Sequence, residues 1–347
     1  MRRGECGVSS VEDGGKEKHM KKKVGVTLGA LLFALSFPVQ AQQAGKIFRI
    51  GFLDSSTASG NAVAVDAFRQ ELVKLGWIEG KNLNIEYQFA ENKGAERVSA
   101  LASELVRLHV DLIVASGAGP TVAAKNATTT IPIVMANASD PVAAGLIASL
   151  ARPGGNVTGL ASLSPQLNTK RLEILKDAVP KLSRVGFLLG AGNIADTLQL
   201  KELRVAAQSL KLTLEEIETQ ADAKSLERAF QTAKQKQLGA IMTQATRPFF
   251  AERKRILELA AKHRLPAIYA QKEYVDEGGL MSYGADFADD YRQVARYVDK
   301  ILKGAKPADL PAQQPTKFEF VINLKAAKQI GLTIPPTVLY QADKVLK

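Results

Sequence analysis

Arg49-Ile50-Gly51-Phe52-Leu53 returns 135 residues later as Arg184-Val185-Gly186-Phe187-Leu188. The segments downstream of the two copies correspond as well. An amphipathic helix is succeeded by a short strand, Leu83-Asn84-Ile85-Glu86 in one copy and Leu212-Thr213-Leu214-Glu215 in the other. A second helix leads to a strand at Asp111 to Ala115 or Ala240 to Thr243. A third leads to one introduced by proline, Ile131-Pro132-Ile133-Val134 or Leu265-Pro266-Ala267-Ile268. β-Branched runs alternating with segments of helical period mean parallel βαβ units, so each copy predicts a doubly wound sheet. Ligands of such sheets sit beyond the carboxyl ends of the strands. Two copies in tandem therefore predict an α/β protein of two similar Rossmann-like lobes with a cleft between them.

Residues 1–41 read as separate from that fold. Lys21-Lys22-Lys23 forms a basic start, Val24 to Val39 an apolar core, and Val39-Gln40-Ala41 a small-x-small cleavage site, the pattern of a secretory signal. The apolar stretch, broken by Ser36 and Pro38, is short of the roughly 20 residues that a membrane span needs. Met1 to His19 carries Cys6, Glu12, Asp13 and Glu17, which suit no export signal, so Met20 is the expected start and Gln42 the mature terminus. Export removes 7 Lys/Arg and 4 Asp/Glu from the 46 and 35 of the chain, leaving a formal charge of +8. It also removes the lone cysteine, so the mature protein has neither disulfide nor lipid-anchoring thiol and is expected to be soluble in the periplasm. Lys170, Arg171, Lys234, Lys236, Arg253 and Lys254 are scattered along helix faces without interleaved aromatics, which argues against nucleic acid.

In the first copy Phe68, Leu72 and Leu75 share a helical face closed by Gly76, and Trp77 is expected to seal that end. Asp140-Pro141 reads as an N-cap and first residue of a helix reaching about Leu150. Beyond the second copy, Gly278 to Gly284 predicts a strand, Asp289 to Lys303 a helix, Lys317 to Asn323 a strand, and two short helices complete the chain. These last residues must be shared between the lobes, which gives 46–161 with 286–312 and 162–285 with 315–347, joined by a three-strand hinge.

Enzymatic signatures are sparse. The mature chain has two histidines, His109 and His263, each at a helix C-terminus, where an imidazolium gains from the dipole. They make no zinc site of histidine and cysteine, Gly117-Ala118-Gly119-Pro120 lacks the third glycine of a dinucleotide fingerprint, and no cofactor is expected. The loops after the strands instead carry small polar residues that open helices: Asp54, Ser55 and Ser56; Ser116 and Thr121; Asn137; Asn193; Gln244; Gln271; and Asp286. Such a surface suits a small polar or anionic solute, although the same residue types serve as N-caps and turns. Tyr269, Tyr274 and Tyr283 are candidate aromatic platforms; Tyr291 and Tyr297 read as helix packing.

Asn137-Ala138-Ser139-Asp140-Pro141-Val142, Arg152-Pro153-Gly154-Gly155-Asn156-Val157-Thr158-Gly159 and Gly278-Gly279-Leu280-Met281-Ser282-Tyr283-Gly284 add a further signature. So do the runs from Ile301 to Pro311 and from Pro315 to Asn323. Over residues 46–347 the chain resembles the bacterial ABC-transporter substrate-binding proteins related to tryptophan/tyrosine-type importers. The resemblance implies the class I periplasmic-binding-protein fold, no catalysis, a monomer, and an inner-membrane ABC permease as partner. Relatives often carry an Asp in the loop after Ile241–Thr243. Here the loop reads Gln244-Ala245-Thr246-Arg247-Pro248, in which Arg247 favours a carboxylate. Other readings of this architecture are a receptor feeding a sensor kinase, a cleft hydrolase using Asp54 and Asp286, and a repressor core. The last would need an N-terminal helix-turn-helix where the signal peptide stands.

Overall fold

The computed structural model describes residues 46–190 and 196–347, and Gly45–Lys347 forms one compact unit. The signal segment and Asn193 lie outside the described residues. The first half of the chain runs β1 (Phe48–Asp54), α1 (Ala62–Lys74), β2 (Leu83–Phe89), α2 (Ala95–Arg107), β3 (Leu112–Ser116), α3 (Ala118–Ala127), β4 (Ile133–Ser139) and β5 (Val157–Ser162). After α4 (Ser164–Ala178) the pattern returns as β6 (Arg184–Leu189), α5 (Asp196–Ser209), β7 (Thr213–Glu218), α6 (Ala223–Gln235) and β8 (Ala240–Thr243). It continues with α7 (Arg247–Ala251), α8 (Arg253–Lys262), β9 (Ala267–Tyr269), α9 (Glu273–Asp276) and β10 (Met281–Gly284). The end of the chain is α10 (Phe287–Leu302), β11 (Glu319–Asn323), α11 (Leu324–Ile330), α12 (Pro336–Gln341) and β12 (Lys344–Leu346).

One sheet has the order β2-β1-β3-β4-β5; the other is β12-β11-β10-β9-β8-β6-β7. The duplication holds at the level of register. Gly51 of β1 faces Glu86 of β2, and Gly186 of β6 faces Glu215 of β7. Arg49 pairs with Glu86 at 3.6 Å, and Arg184 with Glu215 at 2.9 Å. The shared glycine also has one cause. A Cβ at Gly51 would stand 2.8 Å from Leu105, and one at Gly186 would stand 2.7 Å from Leu238, so glycine lets these leucines lie directly on the strands.

Both faces of each central strand are buried. Phe52 packs with Phe68 and the α10 side, whereas Leu53 packs with Ala102 and Leu105 of α2. In the second sheet Phe187 joins Leu172 and Leu203, while Leu188 joins Leu226 and Phe230. Continuous apolar strands are the mark of a parallel sheet covered on both sides.

The chain passes between the sheets three times: from β5 into α4, from β10 into α10, and from the stretch around Gln313 into β11. Gln313 lies beside β5, receiving the Ala161 N–H at 2.8 Å and donating to the Gly159 carbonyl at 2.9 Å. Helix α10 belongs with the first sheet. Arg296 pairs with Glu71 of α1 at 3.0 Å, and the Trp77 indole donates to Asp299 at 2.9 Å. Trp77 also closes α1: its N–H reaches the Leu72 carbonyl at 2.9 Å, Gly76 takes φ +91°, and its ring meets Phe48 edge-on at 5.4 Å.

Three expectations change. Pro141 to Leu150 is a series of turns, not a helix. Asp140 does accept the Ala143 N–H at 3.0 Å, but Gly145 adopts φ +65° and ends the turn before a second one can form. The strand β12, beside β11, adds an element that the sequence pattern does not predict. His263 does cap α8, stacked near Phe230 at 6.0 Å, yet burial lowers its pKa, which opposes the gain expected from the dipole.

Candidate functional site

Beyond the C-terminal ends of β1, β3 and β4 on one side, and β6, β7 and β8 on the other, lies a cleft of about 1310 Å³. Parallel strands bring their following loops to one end of a sheet, so this location follows from topology. Ser55, Ser116 and Asn137 line it from the first sheet; Gln244 and Gln271 line it from the second. Gln244 is ordered by its own lobe, its Oε1 accepting the Gly190 N–H at 2.9 Å. The Ser116 hydroxyl instead shares a hydrogen bond with the Tyr291 hydroxyl of α10.

Asp54, Ser56, Thr121 and Asp286 are not among the lining residues, and each has a local use. Asp54 is fully buried and accepts the Ser56 N–H at 2.7 Å, the Ser56 hydroxyl at 2.6 Å and the Asn61 amide at 2.7 Å, which fixes the loop from β1 to α1. Thr121 donates back to the Gly117 carbonyl at 2.7 Å. Asp286 caps α10 by accepting the Asp289 N–H at 2.8 Å. The two carboxylates of the hydrolase reading thus hold a turn and a helix cap. Among the platform candidates, Tyr269 and Tyr274 stack on each other at 4.3 Å inside the second lobe, and Tyr283 lies near Phe318 at 6.2 Å.

Arg247, which the sequence offers as favouring a carboxylate, lines the cleft together with Arg171 and Asp290, which the strand-end loops do not predict. Arg247 opens α7 and is 7% exposed; its guanidinium lies 4.0 Å from the Phe287 ring centroid and 5.5 Å from that of Phe250. Its Nη1 is buried with no hydrogen-bond partner. Arg171, on α4 near the crossovers, donates from Nε to the Tyr283 carbonyl and from Nη1 to Asn168 Oδ1, both at 2.7 Å. Burial without a carboxylate partner pushes Arg171 down to about 9. Asp290, on the first turn of α10, goes the other way. Burial pushes its carboxyl up to about 7, against the Asn137 amide and the Arg247 charge, which favour the ionised form. Among the described residues no cluster of His, Cys, Asp or Glu could hold a metal ion.

The family profile of the ABC transporter substrate binding proteins matches residues 57–346. The chain belongs to that family. A tyrosine-binding protein of Clostridioides difficile is 27% identical over 270 residues, 78% of this chain and 76% of that protein. A conserved domain protein from Vibrio cholerae superposes with a TM-score of 0.79 at 28% identity, covering 86% of this chain and all of the other. The ABC domain from Streptococcus pneumonia in complex with L-Trp superposes with 0.77 at 25% identity, over 86% and 99% of the two chains. The two Rossmann-like lobes and three crossovers are the class I periplasmic-binding-protein fold. No helix among the described residues is long and apolar enough to cross a membrane.

Proposed function

We propose that this substrate-binding protein is an extracytoplasmic receptor that captures a small polar solute, an amino acid or related carboxylate, and delivers it to an ABC permease in the inner membrane. The observation that carries the reading is the cleft itself, lined from both sheets by Ser55, Asn137 and Asp290 on one side and by Gln244, Arg247 and Gln271 on the other. Residues 46–161 with 286–312 form one moving lobe and 162–285 with 315–347 the other, bending about the three crossovers. Closure removes polar groups from water, so each must find a partner in the ligand; one left unpaired costs about 1–3 kcal/mol. The energy for transport comes from an ATPase on another chain. Residues 20–41 direct export, and the mature protein acts as a soluble monomer starting at Gln42.

The direct test is to purify the protein from the periplasm, denature it and identify the released small molecules by mass spectrometry, with N-terminal sequencing of the same sample. A stoichiometric polar metabolite and a terminus at Gln42 are expected. A protein found only in the cytoplasm, with no released or added solute bound, would overturn the reading.

A further inference from the structure

Arg247 is buried, and no carboxylate of the described residues lies within ion-pair distance of it, although the charge of Asp290 acts on it from farther off. Among the described residues it forms no ion pair, and its Nη1 is buried without a hydrogen-bond partner. Its neighbours are rings, Phe287 at 4.0 Å and Phe250 at 5.5 Å. Aromatic faces recover part of the hydration that the cation has lost, but they accept nothing in the plane of the guanidinium. They also hold that plane in place, so its donors form a fixed fork. A buried cation without an acceptor is a costly arrangement in a folded chain unless something else supplies the acceptor.

The position of Arg247 says where the acceptor would sit. Its Cγ lies 3.8 Å from the place a Cβ of Gly117 would occupy, so the side chain crosses from the second lobe over the start of α3 in the first. Helix α3 is ten residues long and opens at Gly117 with no side-chain cap, and Ala118 and Gly119 line the cleft. Pro120 has no N–H, which leaves Ala118 and Gly119 as the donors of that first turn. The Arg247 side chain of one lobe thus meets the start of α3 of the other at the wall of the cleft. A planar two-oxygen anion satisfies both.

Asp290 lines the same cleft from α10, three residues after Phe287, and among the described residues it forms no ion pair with Arg247. The charged groups that act on it are Arg247, Asp289 and Asp286. The cleft therefore holds a cation and an acid that sense each other's charge without forming an ion pair. We propose that Arg247 and the first turn of α3 anchor the carboxylate of the solute, while Asp290 with Asn137 receives an amino or hydroxyl group of the same molecule. The ligand is thus a small amino or hydroxy acid, and Arg247 determines the specificity for its carboxylate. This assignment rests on the receptor reading above and names the chemistry of its cleft.

The test is isothermal calorimetry of the mature protein, freed of endogenous ligand by unfolding and refolding, against a matched set of probes. The set comprises the common L-amino acids, 2-hydroxy acids, the carboxamides and decarboxylated amines of both groups, inorganic phosphate and myo-inositol. Each probe that binds is expected to carry a free carboxylate, with its carboxamide at least tenfold weaker. Arg247→Met should weaken the best probe by about a hundredfold and Arg247→Lys by less, because lysine keeps the charge and loses the fork. The ligand-free Arg247→Met protein should melt no lower than the parent, which separates lost binding from lost folding. Asp290→Asn should weaken amino acids more than their desamino counterparts. Tight binding of myo-inositol or a carboxamide, or unchanged affinity in a folded Arg247→Met protein, would overturn the anchor and leave the receptor intact. No binding of any probe or of the periplasmic extract by the parent would overturn both.

Discussion

The guanidinium of Arg247 stands 4.0 Å from the ring centroid of Phe287, and the contact joins the loop after β8 to the first turn of α10. Phe250 extends it, its ring 4.9 Å from that of Phe287. Helix α10 is tied to the first lobe through Arg296 and Asp299, so these rings carry one apolar cluster from one lobe into the other. The lobes touch again where the loop before α1 meets the corner between α7 and α8: Arg253 Nη1 donates to the Gly60 carbonyl at 3.5 Å.

That second contact has no room for a side chain at Gly60, because a Cβ there would stand 2.4 Å from the Cβ of Ala251. Gly60→Leu is expected to hold the two lobes apart while leaving each lobe folded. Solute affinity should fall tenfold or more, since about 1.4 kcal/mol of blocked closure is enough. Calorimetry with small-angle scattering checks this; unchanged affinity and an unchanged radius of gyration would refute it.

Ser116 and Gln244 should separate folding from binding. Ser116→Ala leaves the buried Tyr291 hydroxyl without its partner, so the melt should shift by the equivalent of about 1–3 kcal/mol. Gln244→Ala acts within the cleft and is expected to weaken solute binding about tenfold with a smaller effect on stability. Urea titration and calorimetry on both variants measure the two quantities side by side.

The crossover from β10 into α10 depends on Gly284, where a Cβ would lie 1.8 Å from the Ala270 carbonyl oxygen. Backbone cannot yield there as a flexible side chain would. Gly284→Ala should therefore destabilise by about 3 kcal/mol or more, beyond the usual range for one added methyl. Gly155→Ala, in open space, is the matched control. Equal urea midpoints for the two variants would contradict the expectation.

Asp290 gives the ligand-free protein a pH dependence of definite sign. Its folded pKa of about 7 lies above the ordinary 3.8, so the folded state keeps a proton that the unfolded chain has released. Between those values the unfolded state binds fewer protons, and stability contributed by this group falls as pH rises. Asp290→Asn should flatten that slope from pH 5 to 7.5 and be the more stable protein at the upper end. Urea midpoints of both proteins across this range, without ligand, are the measurement; parallel curves would rule out the raised pKa.

The doubly wound halves were legible because the repeat is written in residues with a local meaning. Arg49 and Arg184 each meet an acid on the neighbouring strand, and Gly51 and Gly186 each admit a leucine, so two distant stretches carry the same constraints. The helix expected after Asp140 failed on one glycine, whose positive φ outweighs a good cap and a well-placed proline. The strand β12 has only three residues and exists because β11 offers an edge, which no short-range pattern announces.

For the cleft, the chain alone determined the place: parallel strands direct their following loops to one end, and those loops could be read as polar. It could not tell which polar groups remain for a ligand. Asp54, Thr121 and Asp286 have the composition of binding residues, and in the structure they also hold turns and a cap and lie outside the cleft lining. Conversely, Arg171, Arg247 and Asp290 sit within or at the start of helices, where charged residues are ordinarily solvated. Only the packing of α4, α7 and α10 around the crossovers draws them out of water without giving any of them an ion pair. Sequence sets hydrogen-bonding capacity residue by residue, but whether that capacity is already used depends on which segments meet, and that is decided by the tertiary structure.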